Sequence, residues 1–210
     1  MYLTAIRSDL MFVVSMLSRF IESPKKSHWE ARKRALRYLC GTINEGIHYK
    51  RVKDSTLIDY CDSDWGGSVD DCRSTFGYSF HIGSGAISWA SKKQSVELSI
   101  AEAEYISLAL ASCQVLWIKW ILSELKHEQV EGTTLFCDNS SAISLTKNPV
   151  FHEKNKHIRI KYHFIRGLVK NGEINVMYCK IQEQIADIFT KALKYDIFKK
   201  MKKKLGIVVI

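Results

Sequence analysis

The segment from Ser99 to Leu125 is apolar on nearly every side of a helix, and this constrains the chain more than any other feature of it. Such a helix cannot face water along its length, so it has to lie buried against a sheet. No stretch of the chain reaches the roughly 20 uninterrupted apolar residues that a membrane span requires. The sequence around this helix supplies the strands. Leu57 to Asp62 reads as a first strand, and Phe76 to Ile82 alternates as a second. Gly83 to Gly85 makes a hairpin turn, and Ala86 to Ser91 forms a third. After the long helix come a fourth strand, Thr134 to Cys137, and a short helix, Asn139 to Thr146. A further helix, Ile158 to Val169, ends at Asn171-Gly172. Ile174 to Cys179 is a fifth strand, and Gln182 to Leu193 a closing helix. The order β-β-β-α-β-α-α-β-α implies an α/β fold: a five-stranded mixed sheet with helices on both faces.

A short helical segment precedes the sheet. Asp9 is placed to cap a helix through Leu10, Val13, Val14, Leu17 and Phe20, which Ser23-Pro24 breaks. Ser27 opens a second helix, His28 to Leu39, stopped by Gly41. Two such helices make a poor core alone. They read as the end of something larger, or as a flap packed on the sheet domain. The expected divisions are 1–53 for the helical segment, 54–194 for the sheet domain and 195–210 for a basic C-terminal helix or tail. Lys199, Lys200, Lys202, Lys203 and Lys204 there read as a solvated helix face.

Composition narrows the class. The chain has 210 residues, 46% of them hydrophobic, and 2 prolines, which excludes a disordered or low-complexity chain. Leu10 to Leu17 is too short for a signal peptide and lacks a cleavage site. Cys40, Cys61, Cys72, Cys113, Cys137 and Cys179 have no CxxC spacing, which points to reduced thiols in an intracellular protein, buried where they fall in apolar runs. Trp89, Trp117 and Trp120 read as core. The net charge of +9 favours a polyanionic partner.

Four acids fall at the ends or starts of elements and among apolar neighbours: Asp62, Glu104, Asp138 and Asp187. A carboxylate in apolar surroundings is costly unless paired or bound to metal. If the first and fourth strands are parallel neighbours, Asp62 and Asp138 share the edge where α/β sheets bind ligands. Their repulsion would be relieved by a divalent cation, and oxygen ligands favour Mg²⁺ or Mn²⁺. Two ions held about 3.5–4 Å apart by such acids can cleave phosphodiesters. The plainer alternative for Asp138 is a helix N-cap. For Asp64, Asp70 and Asp71 it is a loop.

The run Tyr60-Cys61-Asp62-Ser63-Asp64-Trp65-Gly66-Gly67 followed by Asp70-Asp71-Cys72-Arg73-Ser74-Thr75-Phe76-Gly77-Tyr78 resembles the ribonuclease H domain of copia-type retrotransposon Pol polyproteins. So do Ile87-Ser88-Trp89-Ala90-Ser91-Lys92-Lys93-Gln94, Ala101-Glu102-Ala103-Glu104-Tyr105 and Cys137-Asp138-Asn139. Lys156-His157-Ile158 with Tyr162-His163-Phe164, and Ala186-Asp187-Ile188-Phe189-Thr190-Lys191, complete the series over roughly 55–194. Residues 1–53 resemble the tail of the reverse transcriptase that precedes it, without that enzyme's own aspartate pair.

The resemblance implies a ribonuclease H-like fold that cuts the RNA strand of RNA/DNA hybrids using two Mg²⁺ ions, with Mn²⁺ as a substitute. By residue match Asp62, Glu104, Asp138 and Asp187 are the ligands. Asp62 and Asp64 share a strand face, and Asp62 is preferred. Glu102 and Glu104 point to opposite sides of the helix, and Glu104 is preferred. The histidine that some members of the wider superfamily carry before the last acid is absent from Lys180 to Ile185. Substrate contacts are expected from Ser63, Arg73, Ser74, Asn139, Ser140, Lys156 and His157, with Lys92, Lys93, Arg159 and His163 along the backbone path. For His157 and His163 packing is the plainer reading. The implied partners are a hybrid duplex and the reverse transcriptase portion of the same polyprotein, with no membrane and no small-molecule cofactor. The implied location is intracellular, in a cytoplasmic virus-like particle with access to the nucleus. The competing readings are an inactive nucleic-acid-binding remnant and a structural module of a reverse transcriptase.

Overall fold

A computed structural model of the chain describes residues 2–53, 55–68, 72–94, 97–147 and 160–210. Within them the helical segment comprises α1 (Tyr2–Ile6), a 3-10 turn (Ser8–Leu10), α2 (Met11–Ser18) and α3 (Lys26–Gly41). After these come β1 (Glu45–Ile47), β2 (Leu57–Asp64), β3 (Thr75–Ile82), β4 (Gly85–Lys93) and α4 (Ile100–Glu124). β5 (Thr133–Cys137), α5 (Ser140–Lys147), α6 (Phe164–Lys170) and β6 (Ile174–Tyr178) come next. α7 (Asp187–Thr190), α8 (Tyr195–Lys204) and β7 (Ile207–Val209) close the chain.

The main sheet has the order β4-β3-β2-β5-β6. β2, β3 and β4 form an antiparallel meander, while β5 and β6 add in parallel beside β2. The expected mixed five-stranded sheet is therefore present. One face buries Leu57, Cys61, Phe76, Phe80, Leu135, Ile174 and Val176 against Tyr105, Leu108, Ala111 and Val115 of α4 and Ile165 of α6. The other buries Ala86 under Ile188, Phe189, Met201 and Leu205 of α7 and α8 and Ile207 of β7. Helices thus lie on both faces.

α4 starts with a side-chain cap. Ser99 Oγ accepts the Glu102 amide at 3.2 Å, and Glu102 Oε2 accepts the Leu98 amide at 2.8 Å. Its buried positions concentrate in the first half. Beyond Val115 one side emerges, so Trp117 and Trp120 are 52% and 60% exposed. The expectation that these two are core is wrong, because the sheet is shorter than the helix. Trp89 is partly buried and donates its indole N–H to the Thr4 carbonyl at 2.8 Å. All six cysteines are free, with Cys61, Cys137 and Cys179 buried, but Cys113 is exposed on the emerging side of α4.

The helical segment departs from its sequence reading in detail. Asp9 does not cap a helix. It is buried, takes a two-pronged ion pair from Arg7 at 2.8 and 2.9 Å, and accepts the Tyr38 hydroxyl at 2.5 Å. A strong local partner at Arg7 outcompetes the cap. Lys202 of α8 adds hydrogen bonds to Tyr38 Oη and Glu45. The segment is tied down by this network and by the β1–β7 ribbon, not by a core of its own, since α1, α2 and α3 bury no residue fully. Three-residue strands carry no periodic signal, so β1 and β7 were not expected. The closing helix is also shorter than expected. Gln184 is extended, its Nε2 donating to the Cys61 carbonyl at 3.0 Å, so helix begins only at Asp187.

Gly77 lies directly across from Asp62 in the β2–β3 ladder. A Cβ there would come within 2.7 Å of Phe189 Cβ and 2.8 Å of Thr190 Cγ2. The missing side chain lets α7 press onto the sheet beside Asp62. Gly77→Ala is expected to destabilise the fold by about 1–3 kcal/mol through overpacking. Gly41→Ala, where nothing lies within 4 Å, is expected to be neutral or slightly stabilising. Denaturant midpoints check both, and equal stability of Gly77→Ala and wild type would contradict the packing described.

Candidate metal centre

The site grows out of the point where pairing between β2 and β5 stops. The parallel ladder ends at Tyr60 opposite Phe136, which leaves Asp62 and Asp138 side by side at the carboxyl ends of neighbouring strands. The β2 backbone beyond Tyr60 still needs partners, and side chains supply them. Gln184 serves the Cys61 carbonyl, Ser107 Oγ donates to the Asp62 carbonyl at 3.1 Å, and Glu104 Oε1 accepts the Ser63 amide at 3.3 Å. α4 and the segment before α7 are thereby fastened to the strand end that carries Asp62.

Two groups of donors converge there. Carboxylate oxygens of Asp62, Asp138 and Asp187 lie within 4.8 Å of one another, and Glu104, Cys137 and Asp138 form a second group on the same limit. Asp138 belongs to both. Asp62 is fixed further by the Thr190 hydroxyl, which donates to Oδ2. Lys191 Nζ sits 2.9 Å from Asp187 Oδ1 and 3.5 Å from Asp62 Oδ2.

The electrostatics follow from this crowding. Burial, then the charges of Asp62 and Asp138, holds Glu104 well above the usual carboxylate range. Burial and Asp62 push Asp187 up to about 7 against the pull of Lys191. Asp138 is raised by burial and by Asp62. Burial keeps Cys137 a neutral thiol. The hard donors are thus carboxylate oxygens, close enough together for a divalent ion coordinated at roughly 2.0–2.6 Å. The Lys191 ammonium already lodged among them shows that the pocket favours a cation.

The alternatives left open by the sequence separate here. Glu102 is spent on the start of α4, whereas Glu104 reaches the cluster. Asp64 is half-buried and feels Asp62 and Lys191, but the grouped oxygens are those of Asp62. Asp138 is not the cap of α5. That part is taken by Asn139, whose Oδ1 accepts the Ala142 amide at 3.0 Å.

The expected substrate contacts fare unevenly. Ser63 and Ser74 are buried and bonded inward, Ser63 Oγ to Gln94 at 2.6 Å and Ser74 Oγ to Glu97 at 2.7 Å. Neither presents its hydroxyl to solvent. Arg73 and Ser140 are exposed. Lys156, His157 and Arg159 lie outside the described residues. His163 shares a 2.9 Å hydrogen bond with the Tyr105 hydroxyl, a packing role. Sequence reasoning gave no part to Ser107, Gln184, Thr190 or Lys191. Only the last two lay in a quoted motif; Ser107 stood out as a single polar residue in an apolar run, and Gln184, following Gln182 and Glu183, carried no signal.

No family model matches the chain. Among curated proteins it is 41% identical over 210 residues to the retrovirus-related Pol polyprotein from transposon RE2 of Arabidopsis thaliana, covering 100% of this chain and 14% of that one. It is 40% identical over 201 residues to the corresponding polyprotein from transposon TNT 1-94 of Nicotiana tabacum, covering 95% and 15%. The chain therefore spans about a seventh of the length of these relatives. A ribonuclease H domain from Mycobacterium tuberculosis is 11% identical, covering 71% of this chain and 97% of that one, with a TM-score of 0.45. The five-stranded mixed sheet, an antiparallel meander continued by two parallel strands, is the α/β arrangement that the resemblance implies, and the chain belongs to the retrovirus-related Pol polyproteins of copia-type transposons.

Proposed function

We propose that this chain is the ribonuclease H part of such a polyprotein, hydrolysing the RNA strand of RNA/DNA hybrids with two Mg²⁺ ions, for which Mn²⁺ can substitute. The observation that carries the reading is the convergence of Asp62, Asp138 and Asp187 within 4.8 Å, with Glu104 beside Asp138. These residues come from β2, the end of β5, α7 and α4, and only the folded sheet gathers them. Ions bound there would supply an activated water and stabilise the leaving oxygen. The chain's own part is to hold the four carboxylates at fixed spacing. Thr190 orients Asp62, the Ser63 amide orients Glu104, and Asn139 frees Asp138 by taking over the cap.

A hybrid is bound through its phosphates and shape. The net charge of +9 and the exposed Arg73, Lys92 and Lys93 support that class of substrate. The partner proposed in the same polyprotein is its reverse transcriptase portion. Supporting this is an apolar groove of about 590 Å³ between α2 and α3, lined by Leu10, Val14, Leu17, Trp29, Leu36 and Leu39. The place of action proposed is the cytoplasmic particle in which reverse transcription runs, with passage to the nucleus.

Digestion of a labelled hybrid with Mg²⁺ tests the reaction. Asp138→Asn is expected to lower cleavage by about a hundredfold or more, the several kcal/mol that metal-bound charge stabilisation supplies, with folding retained. Cleavage surviving in Asp138→Asn would refute the site. Salt-dependent binding by wild type without metal-dependent turnover would instead identify a remnant.

A pH test addresses the crowding of charge. Asp187 has a folded-state pKa of about 7, above its unfolded value. The folded state therefore holds a proton the unfolded state has lost, and stability declines as pH rises from about 4 to about 7. Melting temperatures without divalent ion are expected to fall over this window for wild type relative to Asp187→Asn. Saturating Mg²⁺ should abolish the difference in slope. Parallel curves without metal would contradict the assigned repulsion.

A further inference from the structure

Lys191 stands where the fold concentrates negative charge. It is the first residue past α7, in extended backbone, and its side chain folds back one turn to meet Asp187. Its ammonium lies 2.9 Å from Asp187 Oδ1 and 3.5 Å from Asp62 Oδ2, two of the carboxyl groups whose oxygens form the first donor group. It pairs with neither member of the second group that is absent from the first, Glu104 or Cys137. The side chain is 34% exposed, whereas those of Asp62 and Asp187 are 2% and 7% exposed. The Asp62 and Asp187 carboxylates are enclosed, whereas the lysine has a way out to solvent.

We propose that Lys191 is the resident counter-ion of this pocket, which a divalent ion must displace from the Asp62–Asp187 side, so that Lys191 sets how tightly that side binds metal. This rests on the metal-centre reading above. Without a divalent ion, Lys191 neutralises part of the repulsion among Asp62, Asp138 and Asp187 and keeps α7 seated on β2. Burial opposes its charge, but the facing carboxylates Asp62, Asp187 and Asp138 outweigh that and raise its pKa. When a dication enters, two positive groups cannot share the same oxygens, and the ammonium swings outward. Among the described residues the Glu104–Asp138 side carries no such competitor, so the two sides are expected to differ in affinity.

The test measures Mn²⁺ binding to the full chain, by titration calorimetry and by electron paramagnetic resonance of free Mn²⁺. Wild type is expected to bind one ion tightly and a second more weakly. Lys191→Met is expected to tighten the weaker step by about tenfold, the effect of deleting a unit charge a few ångströms away in a partly solvated site. Lys191→Arg, which keeps the charge, should stay near wild type. Unchanged or weaker Mn²⁺ binding by Lys191→Met would overturn the proposal. Asp138→Asn separates the two readings: if it binds Mn²⁺ as wild type does, the pocket is not a metal centre at all. If it loses binding while Lys191→Met matches wild type, only the counter-ion proposal fails.

Melting curves give a second readout that a purely structural lysine would not move. Without metal, Lys191→Met is expected to melt below wild type, and saturating Mn²⁺ should close the gap. A gap that persists in Mn²⁺ would overturn the proposal. Should Lys191→Met fail to fold at all, Lys191→Gln, of similar length and polar, carries the same comparison.

Discussion

Carboxylates repel, and this fold gathers four of them at one end of a sheet. Asp62, Glu104, Asp138 and Asp187 come together because β2 and β5 run parallel, α4 crosses the strand ends and α7 docks against Gly77. Burial and like charge raise Glu104, Asp138 and Asp187, so the site is a local strain that the rest of the fold tolerates. What makes it tolerable is the hydrophobic packing on either side. Two layers of helices clamp the sheet, one led by α4 and one by α7 and α8. The cluster is therefore a property of the whole domain and not of any motif within it.

The fastening around Asp62 shows how the clamp reaches the site. Where the ladder with β5 ends, buried side chains take over the strand's open backbone groups. Gln184 comes from the chain just before α7, Ser107 and Glu104 from α4. An amide, a hydroxyl and a carboxylate thus link both helical layers to the same three residues of β2. Each bond meets a need that would otherwise leave a buried polar group unpaired. The same bonds fix the spacing of the acids, so stability and site geometry share their causes.

Much of this was legible in the sequence. Period-2 alternation in Phe76 to Ile82 and the apolar character of Ser99 to Leu125 gave the meander and the core helix, because Phe76, Tyr78 and Phe80 pack in one core with α4, which is buried through its first half. The acids stood out for the same reason, as charges set in apolar runs. Other features were hidden. Trp117 and Trp120 looked like core because composition cannot say where the sheet ends beneath a long helix. Asp9 looked like a cap because the local pattern does not show that Arg7 and the remote Tyr38 together take its carboxylate. Gln184, which delays the start of the closing helix to Asp187, acts through a carbonyl in β2 that no local pattern reveals. The β1–β7 ribbon joins segments from the two ends of the chain with strands too short to show a period.

The most direct measurement of the central claim is a crystal structure of the full chain soaked in Mn²⁺, with anomalous scattering locating the metal. The account requires Mn²⁺ within coordination distance of Asp62 and Asp138, with Asp187 or Glu104 completing the oxygen shell. Manganese bound elsewhere on the surface, with these carboxylates turned away from one another, would contradict it.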